Sequence, residues 1–287
     1  ADYSVAVGYD AGSAITTGGN NTLMGYQAGK HITTGTNNTG VGIQALYNFD
    51  TETSNTAFGQ SALGGAIAGG EYNVAVGNLT LDALTSGDFN TAIGYISGSA
   101  LTTGSNNTSV GNQSLENHTI GNDNTAIGSG ALNANTEGEQ NTAIGRAALG
   151  GNTTADNNTA VGYTALLANT TGEHNIGIGN AAVNGGDTEN HNLGIGTDAL
   201  GGSVAGGEYN VAVGNYTLDA TTSGDNNTAV GYQALTTHTT GVSNTAVGYQ
   251  AMSAGNVTGN YNTAIGVQAS NNATSGQNNT SLGYSAA

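Results

Sequence analysis

The amino-acid sequence predicts an all-β chain, a parallel β-solenoid (β-roll or β-helix) of about seventeen 17-residue coils. Three observations support this fold class: an apolar residue followed by glycine recurs at a nearly fixed step, asparagine precedes that glycine by four residues, and proline is absent. The step is 17 residues except for three steps of 18, from 59 to 77, 196 to 214 and 248 to 266. Positions are counted from this marker glycine, which is Gly8, Gly25, Gly42, Gly59, Gly77, Gly94, Gly111, Gly128, Gly145, Gly162, Gly179, Gly196, Gly214, Gly231, Gly248, Gly266 and Gly283.

One short strand is expected in each coil, formed by the run Thr-Ala-Val/Ile that ends at the marker, because β-branched residues suit a pleated surface. Helical repeats need around 33 to 47 residues, and this chain has 49 glycines, each of which costs about 1 kcal/mol in a helix interior. A second glycine at position −7, as in Gly18, Gly35 and Gly70, indicates a turn with positive φ.

Asparagine occupies position −4 in sixteen of the seventeen repeats. Stacked coils place equivalent residues about 4.8 Å apart, so these side chains are expected to form a ladder of amide hydrogen bonds, as in cross-β arrays. A structural role is favoured over ligand contact. The ladder is represented by Asn21, Asn38, Asn55, Asn141, Asn158 and Asn227.

Four further columns predict how the coil is filled. Position −1 is apolar in every repeat and is expected to be core, and position +4 is mostly leucine. Positions −2 and +3 are almost all Ala, Gly, Ser or Thr, which suggests close approach of neighbouring backbones. A thin coil of this kind leaves apolar columns on more than one face, and three chains around a common axis would share one core. The sequence therefore predicts a homotrimer.

The repeat runs from end to end, which predicts a single solenoid domain over residues 1–287. The segment 64–88 is closely similar to 201–225, an offset of 137 residues or eight repeats. Extension by block duplication favours a spacer whose length matters. The sequence shows no capping segment, which predicts part of a longer fibre or a subunit that polymerises end to end.

Composition excludes two classes of partner. Nineteen acidic residues stand against two basic ones, giving a net charge of −17, so binding to nucleic acid or to an anionic membrane surface is not expected. No segment is apolar enough to span a membrane. Cysteine is absent, which is compatible with an extracellular location.

Acidic residues recur at position −6 and suggest a weak candidate cation site. Glu139, Asp156 and Glu173 lie on consecutive coils, where Ca²⁺ could relieve the repulsion of stacked carboxylates. A solvated turn column is the favoured alternative, and no other cofactor is predicted. His174 and His191 share position −5 on adjacent coils, where a Zn²⁺ or Ni²⁺ site is less favoured than two polar turn residues.

Tyrosine recurs at position +1 and gives a candidate glycan contact at Tyr163, Tyr232 and Tyr249. Aromatic rings among amides and hydroxyls suit carbohydrate, and packing at an interface is the favoured alternative. The chain carries no recurring nucleophile–base–acid arrangement, and we expect it not to be an enzyme.

The phrase Asn-Thr-Ala-Val-Gly-Tyr-Gln-Ala-Leu at 227–235, and nearly the same phrase at 158–166, resembles repeats of bacterial and phage surface fibres. Such repeats often precede an intramolecular chaperone domain of the endosialidase tail-spike type. The pattern is also similar to the β-roll heads of trimeric autotransporter adhesins, whose period is shorter. The resemblance implies a homotrimeric shaft or adhesive stalk at a cell surface or on a virion.

An ice-binding solenoid is the alternative function. Threonine recurs at −3 in twelve repeats and at +8 in eleven, and flat threonine ladders can order water. Paired threonines such as Thr33-Thr34 are adjacent, however, and adjacent residues of a strand point in opposite directions.

Overall fold

The computed structural model describes residues 3–65, 69–202, 206–253, 255, 258–272 and 274–286. Each repeat contributes one three-residue strand that ends just before its marker glycine, and turns make up the rest of the coil. The chain divides into two compact units, Ala1–Asn141 and Thr142–Ala287. The first unit contains β1 (Val5–Val7), β2 (Thr22–Met24), β3 (Thr39–Val41), β4 (Thr56–Phe58), β5 (Val74–Val76), β6 (Thr91–Ile93), β7 (Thr108–Val110) and β8 (Thr125–Ile127). The second contains β9 (Thr142–Ile144), β10 (Thr159–Val161), β11 (Ile176–Ile178), β12 (Leu193–Ile195), β13 (Val211–Val213), β14 (Thr228–Val230), β15 (Thr245–Val247), β16 (Thr263–Ile265) and β17 (Thr280–Leu282).

Within each unit, every strand pairs in parallel with the strand of the next coil, and equivalent positions face each other, as in Ala92↔Ser109 of β6 and β7. The longer repeats keep this register, since Ala57 of β4 faces Ala75 of β5 across an 18-residue step. The extra residue is therefore accommodated in the turns. The predicted parallel β-solenoid is confirmed, and the described residues contain no helix long and apolar enough to cross a membrane.

The core of each coil lies between the strand and the turn that follows it. Ala at −2 and +3 and Leu at +4 are fully buried, as Ala143, Ala148 and Leu149 are. Leu23 is the exception at −2, and it fills the space left by glycine at +4, since a Cβ on Gly29 would lie 2.7 Å from its methyl groups. The small columns are thus small because the interior of one coil is narrow, which agrees with the thin coil predicted from the sequence.

The prediction that the −1 column is core was also wrong. Ile93, Ile127 and Ile144 are 40%, 39% and 39% exposed. The reason is the alternation of side chains along a strand: Ala at −2 points inward, so the neighbouring −1 residue points outward.

The marker glycine is required by its backbone conformation and by its neighbour. Gly94 has φ +140°, and a Cβ there would lie 2.3 Å from the carbonyl oxygen of Gly111 in the next coil. The prediction of positive φ for the −7 glycines was wrong. Gly18 and Gly104 are not in that region, and they are needed because a Cβ would meet the oxygen of the next coil at 2.3 Å and 2.2 Å.

Each coil also holds non-glycine residues in the left-handed region, at −5, +2 and +4. Leu115, Leu132 and Leu149 at +4 each have φ 49°. This left-handed conformation costs an L-residue roughly 1–2 kcal/mol. These leucines are fully or almost fully buried, and burying a leucine contributes about 1.5–3 kcal/mol. Packing in the core therefore offsets the backbone strain.

A buried histidine interrupts the interior of the first unit. His118 follows Leu84 and Leu101 in the same column of the interior and is fully buried. Its Nε2 donates to the Gly121 carbonyl at 2.8 Å, and its Nδ1 accepts from Asn135 Nδ2 at 3.1 Å. This arrangement uses the neutral ring.

Burial lowers the pKa of His118 below its ordinary 6.5, against smaller raising contributions from the Gly121 carbonyl, Glu139 and the backbone of Asn135. The unfolded chain therefore binds a proton near pH 6.5 that the folded chain does not bind, and stability falls as pH drops below that value toward the folded pKa. We expect His118→Leu to reduce this loss, measured as the urea midpoint between about pH 7.5 and about pH 5. Exposed His31→Asn is the control, and an unchanged pH profile in His118→Leu would contradict the assignment.

Candidate functional site

The surface that stands out is the outward side of the strands, formed by positions −3 and −1 and called here the outer face. In β2 to β17 a buried −2 residue separates the two columns, as in β6, where Thr91 is half-buried, Ala92 buried and Ile93 exposed. In β1 all three residues are exposed. Since every strand pairs in register, each column continues from coil to coil within a unit.

The outer face carries no charge. Position −1 is Val, Ile, Leu, Met or Phe, and position −3 is Thr, Val, Ile or Leu, in all seventeen repeats of a chain with net charge −17. Acidic residues lie instead in the turns, chiefly at −6. The −1 isoleucines are exposed and most −1 valines are half-buried, and a contiguous apolar surface of this kind is a candidate interaction surface.

Threonine hydroxyls behave differently in the two threonine columns. At +8 they bond within the protein, since Thr102 Oγ1 donates to the Thr119 carbonyl at 2.9 Å and Thr119 Oγ1 to that of Thr136 at 2.8 Å. In the described ranges, the −3 threonines such as Thr91 and Thr108 make no side-chain hydrogen bond to protein. The +8 column therefore stabilises the stack, and the −3 column presents hydroxyls to whatever contacts the outer face.

The −4 asparagines line the inside of the coil opposite that face. The Asn38 backbone N–H donates to Asn21 Oδ1 at 2.9 Å, and Asn21 Nδ2 donates to the Gly35 carbonyl at 2.8 Å. Asn55 and Asn227 make the same pair of bonds with their neighbours. Asn158 Nδ2 donates to the Gly172 carbonyl, and the Asn141 backbone N–H donates to Asn124 Oδ1 at 3.0 Å. Ser4, the one exception, accepts the Asn21 N–H through its hydroxyl. These asparagines are buried, so they hold coils together and are not exposed to a ligand.

The three acidic residues of the candidate calcium site are divided between the two units. Glu139, in the first unit, accepts from Asn122 Nδ2 at 2.8 Å, and Asp156 and Glu173 belong to the second unit. Elsewhere in the column a carboxylate accepts the backbone N–H of the preceding coil, as Asp88 does from Glu71 at 2.8 Å. Over the described ranges, no three His, Asp or Glu side chains are grouped to hold a metal, and calcium binding stays a prediction.

His174 and His191 stack face to face, with ring centroids 5.0 Å apart and planes 3° apart. Tyr209 extends the stack, 4.9 Å from His191. Glu173 Oε2 lies 4.0 Å from His174 Nε2. The stack uses the ring faces and leaves the edges exposed to solvent.

The candidate glycan-contact tyrosines are exposed, and each has one ring face in contact with a neighbouring side chain. Tyr232 and Tyr249 stack on each other at 5.6 Å, while Tyr163 lies 5.6 Å from the Arg146 guanidinium. A pyranose stacks on a ring face, so the face in contact is closed to a sugar. Glycan contact by these residues stays a prediction.

Sequence reasoning missed two buried carboxylates. Glu52 and Glu189 replace the −7 glycine and are 4% and 6% exposed. Glu52 accepts the backbone N–H groups of Asp50 and Gly69, and Glu189 accepts those of Asp187 and Gly206. Both precede an 18-residue step and lie the same distance before the two copies of the duplicated segment, and this shared placement is the signal that could have identified them.

Comparison of this chain with protein-family models, with curated proteins and with solved structures found no match.

Proposed function

We propose that this chain is a non-catalytic structural segment of an extracellular fibre, and that copies associate as a homotrimer through the outer face. One observation carries the proposal: an uncharged row of apolar side chains, each exposed or half-buried, follows the strands of each unit at position −1. Burial of apolar surface drives such association, at roughly 25 cal/mol per Å². The acidic turns, which would repel a second copy, lie off this face.

The fibre role follows from the same geometry. Within each unit the coils differ little from one another, and ladders of asparagine and threonine side chains bond one coil to the next. A structure built this way does not depend on any unique site. A rigid repetitive stack of this kind suits a shaft that carries or spaces other parts at a cell surface or on a virion. Surface glycans are the proposed external ligand class. The net charge of −17 argues against nucleic acid and anionic membrane surfaces as partners.

Ile93→Thr combined with Ile127→Thr tests the interface. Both residues belong to the outer face, and threonine keeps the β-branch while removing apolar contact. We expect the variant to associate about tenfold more weakly, since Ile93 and Ile127 are 40% and 39% exposed and covering that part of each side chain contributes on the order of 0.6–1.2 kcal/mol. Analytical ultracentrifugation over a concentration series measures this change.

Ile120→Thr is the matched control, because Ile120 is 48% exposed but lies in a turn off the outer face. A wild-type protein that stays monomeric at high concentration would overturn the proposal, as would equal weakening by the control.

Ice binding is the second candidate, favoured by the unbonded −3 hydroxyls that share the outer face with aliphatic residues. Both functions use this face, and a trimer that covers it leaves none of it for ice. Thermal hysteresis of the wild type therefore separates them: a monomer with hysteresis supports ice binding, and a trimer without it supports the fibre.

A further inference from the structure

Five coils lack the usual threonine at −3 of the outer face, and all five carry a ring at position −5. Seven coils carry an aromatic or histidine ring at −5, and five of these also replace Thr at −3 with Val, Ile or Leu. The other ten coils have no ring at −5, and all ten keep Thr at −3. The ring and the aliphatic residue are two positions apart and both at least partly exposed. Because the two changes occur together, they act on a shared surface.

The largest such region is the ring block of the second unit, defined as the −5, −3 and −1 residues of three consecutive coils. Its rings form one stack with spacings of 5.0 Å and 4.9 Å. Ile176, Ile178 and Ile195 are 37–39% exposed. The block consists of His174, Ile176, Ile178, His191, Leu193, Ile195, Tyr209, Val211 and Val213.

A trimer of nearly identical coils has a register problem. Sliding one copy past another by a single coil, about 4.8 Å, would place Thr and Val/Ile again opposite Thr and Val/Ile over most of the outer face. A regular apolar pattern specifies register weakly, and natural assemblies use a few distinct interface residues to exclude wrong registers.

We propose that the ring block fixes the axial register between copies of this chain, a role that rests on the proposed self-association. The occupant of the block is the same block of a second copy. When two copies are in register, the aliphatic side chains and rings of one block lie against those of the other block. A slip by one coil places part of the block against the Asn-x-Thr surface of the coil that carries Asn157 and Thr159, or of the coil that carries Asn226 and Thr228. Slipping therefore exposes apolar groups and buries hydroxyls and amides without partners.

The test converts the block to Asn at −5 and Thr at −3, the residues that occur most often at these positions in the other coils. The variant is His174→Asn, Ile176→Thr, His191→Asn, Leu193→Thr, Tyr209→Asn and Val211→Thr. Asparagine tolerates the left-handed conformation of position −5 and is already present there in other coils, so the fold is expected to persist. Circular dichroism and a urea midpoint verify it. Thr154→Asn, Thr171→Asn and Thr240→Asn in exposed turns form the control variant.

Register is measured by disulfide trapping, since the chain contains no cysteine of its own. Val230→Cys and a size-tagged Val247→Cys lie on adjacent coils and pair in the strand register. The two proteins are co-refolded and oxidised. Disulfides between copies with the same substitution report the in-register state, and mixed disulfides report a one-coil slip.

We expect the ratio of mixed disulfides to same-substitution disulfides to increase about tenfold in the ring-block variant and not to increase in the control. This change corresponds to a loss of about 1.4 kcal/mol in the preference for the correct register. An unchanged ratio in a variant that still trimerises would overturn the inference. So would a variant that becomes monomeric, because the block would then supply affinity instead of register. A monomeric wild type in ultracentrifugation overturns the proposed function itself and is recognised before any trapping.

Discussion

Gly94→Ala is expected to lower the free energy of unfolding of the first unit by about 4 kcal/mol. Two effects combine. The φ of Gly94 is +140°, which essentially only glycine adopts, and the new Cβ would lie 2.3 Å from the Gly111 carbonyl oxygen. That oxygen belongs to the backbone of the next coil and cannot move away without separating β6 from β7. Urea unfolding followed by circular dichroism measures the loss.

Gly130→Ala is the matched control in the same unit. Gly130 has φ +68°, and a Cβ there would meet nothing within 4 Å. The substitution carries only the left-handed backbone penalty of roughly 1–2 kcal/mol. Equal destabilisation by the two variants would contradict the close approach of coils at the marker.

Asn107→Ala is the second large effect, with an expected loss of about 3–5 kcal/mol. Asn107 Oδ1 accepts the Asn124 backbone N–H at 3.0 Å, and its Nδ2 donates to the Gly121 carbonyl at 2.9 Å. Both partners are buried, and removing the amide leaves the Asn124 N–H without its acceptor. Buried polar groups that lose their partners cost about 1–3 kcal/mol each.

Asn106→Ala provides the comparison, because Asn106 precedes the ladder residue and is exposed. Alanine at its φ of 61° loses roughly 1 kcal/mol of left-handed preference. Amide hydrogen exchange at Asn124 gives a second measurement: its protection should fall in Asn107→Ala and persist in Asn106→Ala. Retained protection at Asn124 in Asn107→Ala would show that the ladder is dispensable there.

The solenoid could be predicted from the sequence because each repeat restates the same local constraints. Marker glycines, −4 asparagines and the Thr-Ala-Val/Ile run lie at fixed offsets, and stacking brings equal positions together whatever the path of the turns. Parallel pairing and strand location follow from that periodicity alone.

Which columns face inward could not be predicted from composition. Leucine at +4 adopts φ near 50°, a conformation that leucine disfavours, so no local signal indicates that it turns into the coil. Once it does, it fills the narrow interior with Ala at −2 and +3, and no room remains for the −1 residue. The candidate site was misjudged for the same reason: the column expected in the core is the one on the outer face.

The repeat could be read from the sequence together with the parallel β-coil, the lack of charged residues on the strands and the candidate ladder, because these depend on spacing along the chain. Three facts required the three-dimensional structure: isoleucine at −1 is exposed while alanine at −2 is buried, the +8 hydroxyls bond to the next coil, and the rings of His174, His191 and Tyr209 stack. These facts depend on which side of a three-residue strand the following turn covers, and that is set by packing in the interior of the coil.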